Sequence, residues 1–195
     1  MTTATRNPTR LTVTQARVNR AQFHALSENG LLDYDRHHEL IEGEVVEKMG
    51  QKEPHGSLIM RWVFALVGIF APEVLRCQMP IVLNDSSEPE PDVVVTSQPE
   101  NSYARSGETP TAADTRLVVE VSLTTLAYDL GHKALLYARA GIPDYWVSDV
   151  VGRRLIVHRD PTSEGYATIT SLDENATVSP LAAPDATIRV VDHLP

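Results

Sequence analysis

LVVEVSLTTLAYDLGHKALLYARAGIPDYWVSD, residues 117–149, carries a strand, a helix and a second strand in one run. Leu117-Val118-Val119-Glu120-Val121 is apolar and β-branched, the pattern of a fully buried central strand. Glu120 interrupts it. An ionised carboxylate without a partner is costly in a sheet interior, so Glu120 is expected to be neutralised, paired or bound to a cation. A helix is expected from about Leu126 to Ala140, ended by Gly141 with Pro143 two residues on. At about 100° per residue, Leu126, Leu130, Tyr137 and Ala140 share one arc, with Lys133 at its centre. That arc should face the sheet, which brings a lysine toward the strand that buries a glutamate.

The rest of the composition bounds what this unit can belong to. The chain has 195 residues, 42% hydrophobic and 22% charged, enough for one domain with a sizeable core. Its single cysteine, Cys77, excludes an internal disulfide and a thiolate zinc site, and suits a reducing, cytoplasmic setting. The most apolar segment, Leu58 to Ala71, is too short to span a bilayer and contains Arg61, so no membrane association is expected. Residues 1–20 lack the apolar core of a signal peptide. A net charge of −9 argues against a non-specific nucleic-acid binder held by a broad basic surface. It leaves room for an enzyme whose clustered carboxylates hold a metal. Arg6, Arg10, Arg17 and Arg20 precede the first acid, Glu28. The domain reading is therefore a flexible basic arm over residues 1–11, either solvated or following a phosphate backbone, and one domain over residues 12–195.

Taken in order, Thr14 to Glu28 reads as a surface helix stopped at Asn29-Gly30, with His24 in an ordinary surface contact. Glu39 to Glu47 reads as a β-hairpin turning at Glu42-Gly43, with His37 and His38 just before it and its glutamates on a wet face. An apolar helix is expected over residues 57–70. His55 near its start caps it, sits at the surface or points into a site at the positive end of the helix dipole. Val74 to Leu83 reads as a strand that Pro80 marks as irregular or as an edge. Pro91 fits the first position of the next strand, so Asp92 enters the sheet just ahead of Val93-Val94-Val95. Taken alone, Asp92 reads rather as a residue satisfying local backbone amides in an Asx turn. Ser97 to Thr115 reads as a mobile substrate loop or a disordered insert. Three strand-like runs follow the helix, at Asp144–Asp149, Arg154–Arg159 and Gly165–Leu172, and the last residues are expected to wrap the surface.

Asp92 and Glu120, on neighbouring buried strands, would with the Val121 carbonyl form a partial oxygen cage for a hard divalent cation. Lys133 beside it could orient or deprotonate water and stabilise charge on a phosphodiester. Spacing alone also admits a purely structural Glu120–Lys133 ion pair, or an Asp129–Lys133 pair at i,i+4.

Pro91-Asp92, Glu120-Val121-Ser122 and a following helix with Lys133 resemble the PD-(D/E)XK nuclease superfamily. Glu39-Leu-Ile-Glu-Gly-Glu44, Pro91-Asp92-Val-Val-Val, Leu117-Val-Val-Glu-Val, Asp129-Leu-Gly-His-Lys133, Tyr137 and Gly141-Ile-Pro-Asp-Tyr-Trp146 resemble, more closely, its Uma-type family of restriction endonucleases, over about residues 12–190. The resemblance implies an α/β restriction-endonuclease-like core, a mixed sheet flanked by helices, with an N-terminal helix and hairpin. It also implies Mg²⁺- or Mn²⁺-dependent phosphodiester cleavage, with nucleic acid as partner and DNA ahead of RNA. By the same resemblance Asp92 and Glu120 are metal ligands and Lys133 is the catalytic lysine. His55 aligns with a histidine near the family's pocket, and Glu42 or Glu44 with its early acidic motif. The chain departs from the pattern at Ser122, where the superfamily has its lysine, and at Ser122-Leu-Thr-Thr, which lacks the family's proline. Only three of the seventeen basic residues are lysines, which singles out one on an apolar arc. The expected activity is a metal-dependent endonuclease using metal-activated water, as a homodimer if two sites address two strands. The alternatives are a non-catalytic nuclease-fold accessory protein with a structural Glu–Lys pair, and a hydrolase of another phosphate ester.

Overall fold

The computed structural model describes residues 16–33, 36–48 and 53–195; the arm expected over residues 1–11 lies outside them, as do residues 14 and 15 of the expected first helix. Helix α1 spans Arg20–Glu28. The Asn19 side chain accepts the Gln22 N–H and the Gln22 side chain accepts the Asn19 N–H, each at 2.9 Å. This reciprocal cap sets the start at Asn19, later than the apolar spacing suggested.

Strands β1 (His37–Ile41) and β2 (Glu44–Lys48) form the expected antiparallel hairpin, and His37 and His38 are its first residues. Its turn residues Glu42 and Gly43 have φ of 48° and 83°, the left-handed pair that suits the twist of a two-residue turn. The pairs His37–Lys48 and Glu39–Val46 place Glu39 and Lys48 on one face of the hairpin. The hairpin docks on the segment that leads into the main sheet. Leu40 and Glu88 exchange backbone hydrogen bonds, and the Gly43 N–H donates to the Ser86 carbonyl at 2.7 Å.

Helix α2 (His55–Val67), strands β3 (Leu75–Cys77) and β4 (Val93–Thr96), helix α3 (Glu100–Ser106) and strand β5 (Thr115–Ser122) follow. Helix α4 occupies residues 126–139 and precedes β6 (Asp144–Asp149), β7 (Arg154–Thr162), β8 (Gly165–Asp173), β9 (Thr177–Val178) and β10 (Ile188–Arg189). Six strands form one mixed sheet in the order β3-β4-β5-β6-β7-β8, with β5–β6 parallel and the other pairs antiparallel. A parallel neighbour requires a crossover, and α4 is that crossover.

The two faces of the sheet follow from period-2 alternation. Val93, Val95, Leu117, Val119, Val121 and Trp146 pack with Leu58, Ile59, Trp62 and Leu66 of α2. Val94, Val118, Tyr145 and Val147 pack with Ala134, Tyr137 and Ala138 of α4. Glu120 continues the second set and meets Lys133 and Tyr137 of α4, while Asp92, just ahead of β4, meets Lys48 of the hairpin and His55 at the start of α2.

Three expectations are corrected. The strand expected over Val74–Leu83 ends at Cys77, because Gln78 adopts a left-handed φ of 51° and the chain turns away. The segment Ser97–Thr115 is ordered, containing α3 and a 3₁₀ turn at Ala112–Asp114. The C-terminal residues close the core: Val178, Ile188, Val190 and Leu194 join the α2 layer, and His193 stacks on Trp62 with ring centroids 4.2 Å apart.

Candidate active site

Three elements bring the candidate side chains to one point. The β4–β5 register pairs Val93 with Val119 and Val94 with Val118, so one step further carries Asp92 opposite Glu120. Helix α4 supplies Lys133 and Tyr137. It opens with an α turn at Leu126–Tyr128, widens to a π turn at Asp129–Lys133 and returns to α geometry at Ala134–Arg139. A π turn adds a residue to the turn and re-aims side chains, and such turns concentrate at functional sites. Here Asp129, Lys133 and Tyr137 are all turned inward.

The Lys133 ammonium donates to Glu120 Oε1 at 2.9 Å and lies 3.3 Å from Glu39 Oε1. The Tyr137 hydroxyl donates to the same Glu120 oxygen at 3.0 Å. Glu120 Oε2 has a long contact, 3.4 Å, from the Asp92 N–H. Asp92 Oδ2 accepts the Val121 N–H at 2.9 Å and lies 3.6 Å from His55 Nε2. Asp92 Oδ1 accepts from Lys48 at 3.0 Å, and the same ammonium donates to the Glu90 carbonyl at 2.8 Å. The Glu90 N–H in turn donates to Glu39 Oε1 at 3.0 Å. Asp92 therefore accepts a long-range amide, and no local Asx turn holds it.

The electrostatics follow from burial and partners. Burial pushes the Asp92 carboxyl up, but the neighbouring His55, the Lys48 charge and the Val121 N–H outweigh it and hold it well below the usual carboxylate range. Burial pushes Glu120 up and Asp92 adds to this, while Lys133 pulls it down; the balance stands above the usual range. Burial pulls Lys133 down, yet Glu120 and Glu39 overcome it and hold it well above its ordinary value. Lys133 is thus a fixed cation, suited to orienting groups and offsetting charge rather than taking a proton. Burial and the Glu120 charge raise Tyr137 far above its ordinary value, so it remains a hydrogen-bond donor.

Of the residues expected from the sequence, Asp92, Glu120, Lys133 and His55 come together. Val121 contacts this centre through its N–H, while its carbonyl belongs to the proposal below. Glu42 and Glu44 stand apart. Glu42 is at the hairpin turn, 3.6 Å from His132 and 3.8 Å from Arg139, and Glu44 is 3.6 Å from Arg17. They stand apart because both lie at the turn end of the hairpin: Glu42 is in the turn, and Glu44 pairs with Ile41, on the face of Glu39 but at the opposite end from Lys48. The Asp129–Lys133 pair does not form. Asp129 Oδ2 accepts from Ser122 at 2.8 Å and from Thr125 at 2.6 Å, which anchors the π turn to the end of β5. Ser122, where the superfamily pattern has lysine, is spent on that anchor.

Sequence reasoning passed over two members, Glu39 and Lys48. Both come from the hairpin, and their place in the site depends on how it docks, which local patterning does not encode. The signal available was the scarcity of lysine together with the shared face of positions 39 and 48.

As a test of metal fit, the donors are of the right kind: two carboxylates at adjoining strand ends, one with an oxygen, Glu120 Oε2, that accepts no hydrogen bond from a lysine. They are not a preformed cage. Among the described residues no set of three or more His, Cys, Asp or Glu side chains is arranged to hold an ion. Each carboxylate is instead compensated by a lysine.

A family model described as "Uma2: Putative restriction endonuclease" matches residues 20–191. No curated protein matches the chain. A solved structure described as a putative nuclease belonging to DUF820, from Anabaena variabilis ATCC 29413, is similar with a TM-score of 0.62 at 18% identity, over 86% of this chain and 96% of that one. That likeness fixes the fold, a restriction-endonuclease-like mixed sheet flanked by helices.

Proposed function

The chain belongs to the Uma2 family, and from that premise we propose that it is a divalent-metal-dependent endonuclease acting on nucleic acid, DNA ahead of RNA. The observation that carries this reading is the meeting of Asp92 and Glu120 at adjoining strand ends, with Lys133 bound to Glu120 at 2.9 Å. Asp92, Glu120 and the Val121 carbonyl would hold Mg²⁺ or Mn²⁺. Such an ion, when bound, lowers the pKa of water and offsets charge on a phosphodiester.

The remaining steps fall to the chain's own groups. Lys133, fixed by Glu39 and Glu120, contributes a permanent positive charge where negative charge builds up on the phosphate. Tyr137 holds one Glu120 oxygen, leaving the other turned toward Asp92. His55 and the Val121 N–H hold Asp92 ionised and aimed. A homodimer would present two such sites to two strands. Among the described residues no helix is long and apolar enough to cross a membrane, and the single, exposed thiol of Cys77 suits a cytoplasmic setting.

The test is cleavage of supercoiled plasmid and of single-stranded RNA with Mg²⁺ or Mn²⁺. Asp92→Ala, Glu120→Ala and Lys133→Met should each lose activity by about 10²-fold or more. One observation favours a second reading, a non-catalytic relative: Lys48 and Lys133 already compensate both carboxylates. Equal, metal-independent behaviour of the wild type and all three variants would establish that reading.

A further inference from the structure

We propose that Lys48 holds the cation position at Asp92 in the metal-free protein and is exchanged for the divalent ion when that ion binds. This rests on the metal-centre reading above and adds a mode of control to it.

The Lys48 ammonium bridges Asp92 Oδ1 at 3.0 Å and the Glu90 main-chain carbonyl at 2.8 Å. A carboxylate oxygen and a backbone carbonyl are the ligand types that a hard divalent cation takes. The ammonium therefore occupies Asp92 Oδ1, an oxygen of a carboxylate the ion needs. Two cations on one carboxylate oxygen repel at short range, so the two occupancies exclude each other.

The two lysines of the site are built differently. Lys133 lies in the middle of α4 with 5% side-chain exposure and is bound by two carboxylates. Lys48 is the last residue of β2, has 19% side-chain exposure and pairs with one carboxylate. Its four-carbon stem gives the ammonium a route to water by side-chain rotation alone, a route closed to Lys133. Asp92 is prepared for the exchange as well. Its other oxygen is fixed by the Val121 N–H at 2.9 Å and by His55 at 3.6 Å, so the carboxylate keeps its aim while Oδ1 changes partner. The consequence is an ion-gated site. With little divalent cation present, Lys48 keeps a buried carboxylate compensated; with more, the ion displaces the ammonium.

The test is Mn²⁺ binding to the full chain by titration calorimetry, with melting curves alongside. Lys48→Met and Lys48→Gln should bind Mn²⁺ about tenfold or more tightly than the wild type, and Mn²⁺ should raise their melting temperatures further. The glutamine variant keeps a donor for Asp92, in case the methionine variant folds poorly. Arg36→Gln, which removes the same charge from the surface, should leave the affinity unchanged, and Asp92→Asn should abolish binding in every background. Equal or weaker Mn²⁺ affinity in both Lys48 variants overturns the exchange and leaves the metal centre standing. An equal gain in Arg36→Gln reduces the effect to net charge and also overturns it. Absence of binding in the wild type and in both folded Lys48 variants removes the metal centre and the exchange together.

Discussion

Glu39 and Glu120 converge on one buried ammonium, and the third acid, Asp92, leans on a second. Removing Lys133 would leave two carboxylates in a site from which water is largely excluded. Breaking a buried pair by deleting one partner costs about 3–5 kcal/mol, because the survivor stays charged or must take up a proton. Lys133→Met should therefore lower stability by that order in urea unfolding. Glu42→Gln and Glu44→Gln, whose partners are exposed, should stay within about 0.5 kcal/mol of the wild type. Activity need not track this ranking: Asp92→Asn keeps the shape but loses the charge a cation needs and one of the two acceptors used by Lys48 and the Val121 N–H. Glu120 and Lys133 were legible in the chain because each breaks an apolar pattern, as a charge inside a β-branched run or on a hydrophobic arc; Asp92, just ahead of Val93-Val94-Val95, was singled out only beside them and by the Pro91-Asp92 motif. Lys48 and Glu39 were not. They alternate normally along a hairpin, and only docking through Leu40 and Glu88 turns their shared face toward the sheet.

Helix α4 is the element that aims the site, and its π turn contains the one glycine of the helix, Gly131. A Cβ built there meets nothing within 4 Å, and its φ is not in the left-handed range. Gly131→Ala should therefore be stabilising by about 0.5–1 kcal/mol through helix propensity. The contrast is Gly141, just past the end of α4, with φ of 80°. Gly141→Ala forces a side chain into the left-handed region and should cost about 1 kcal/mol or more, although the space around it is open. Thermal melts of the two variants should move in opposite directions. The spacing of apolar residues gave the helix and its inward arc correctly but could not reveal the π turn. That feature depends on Ser122 and Thr125 holding Asp129, contacts between the end of β5 and the helix. The shortened β3 has a similar origin, since a left-handed Gln78 ends it before Pro80 is reached.

Across the whole molecule, two buried histidines sit on opposite faces of the sheet. His158 lies among Tyr145 and Tyr166, and His193 stacks on Trp62 where the C-terminal residues close the α2 layer. The sequence placed those last residues on the surface, because their apolar positions are too sparse for a pattern; Val190 and Leu194 become core only once α2 is beside them. Burial lowers the pKa of both histidines from the ordinary 6.5. For a lowered histidine the unfolded chain binds the proton first. These two groups therefore cost nothing above about pH 6.5, and each removes stability as pH falls from there toward its folded pKa. Glu120, raised by burial, acts in the opposite sense, losing stability as pH rises above the ordinary carboxylate range. The informative quantity is thus the difference between wild type and variant, in which the carboxylates cancel. His193→Gln keeps a polar side chain against Trp62 without the titration. Its unfolding free energy, subtracted from that of the wild type, should be flat above about pH 7 and should move in the variant's favour toward pH 5. A difference that is level across the whole range would show that His193 titrates in the folded protein as it does in the unfolded chain.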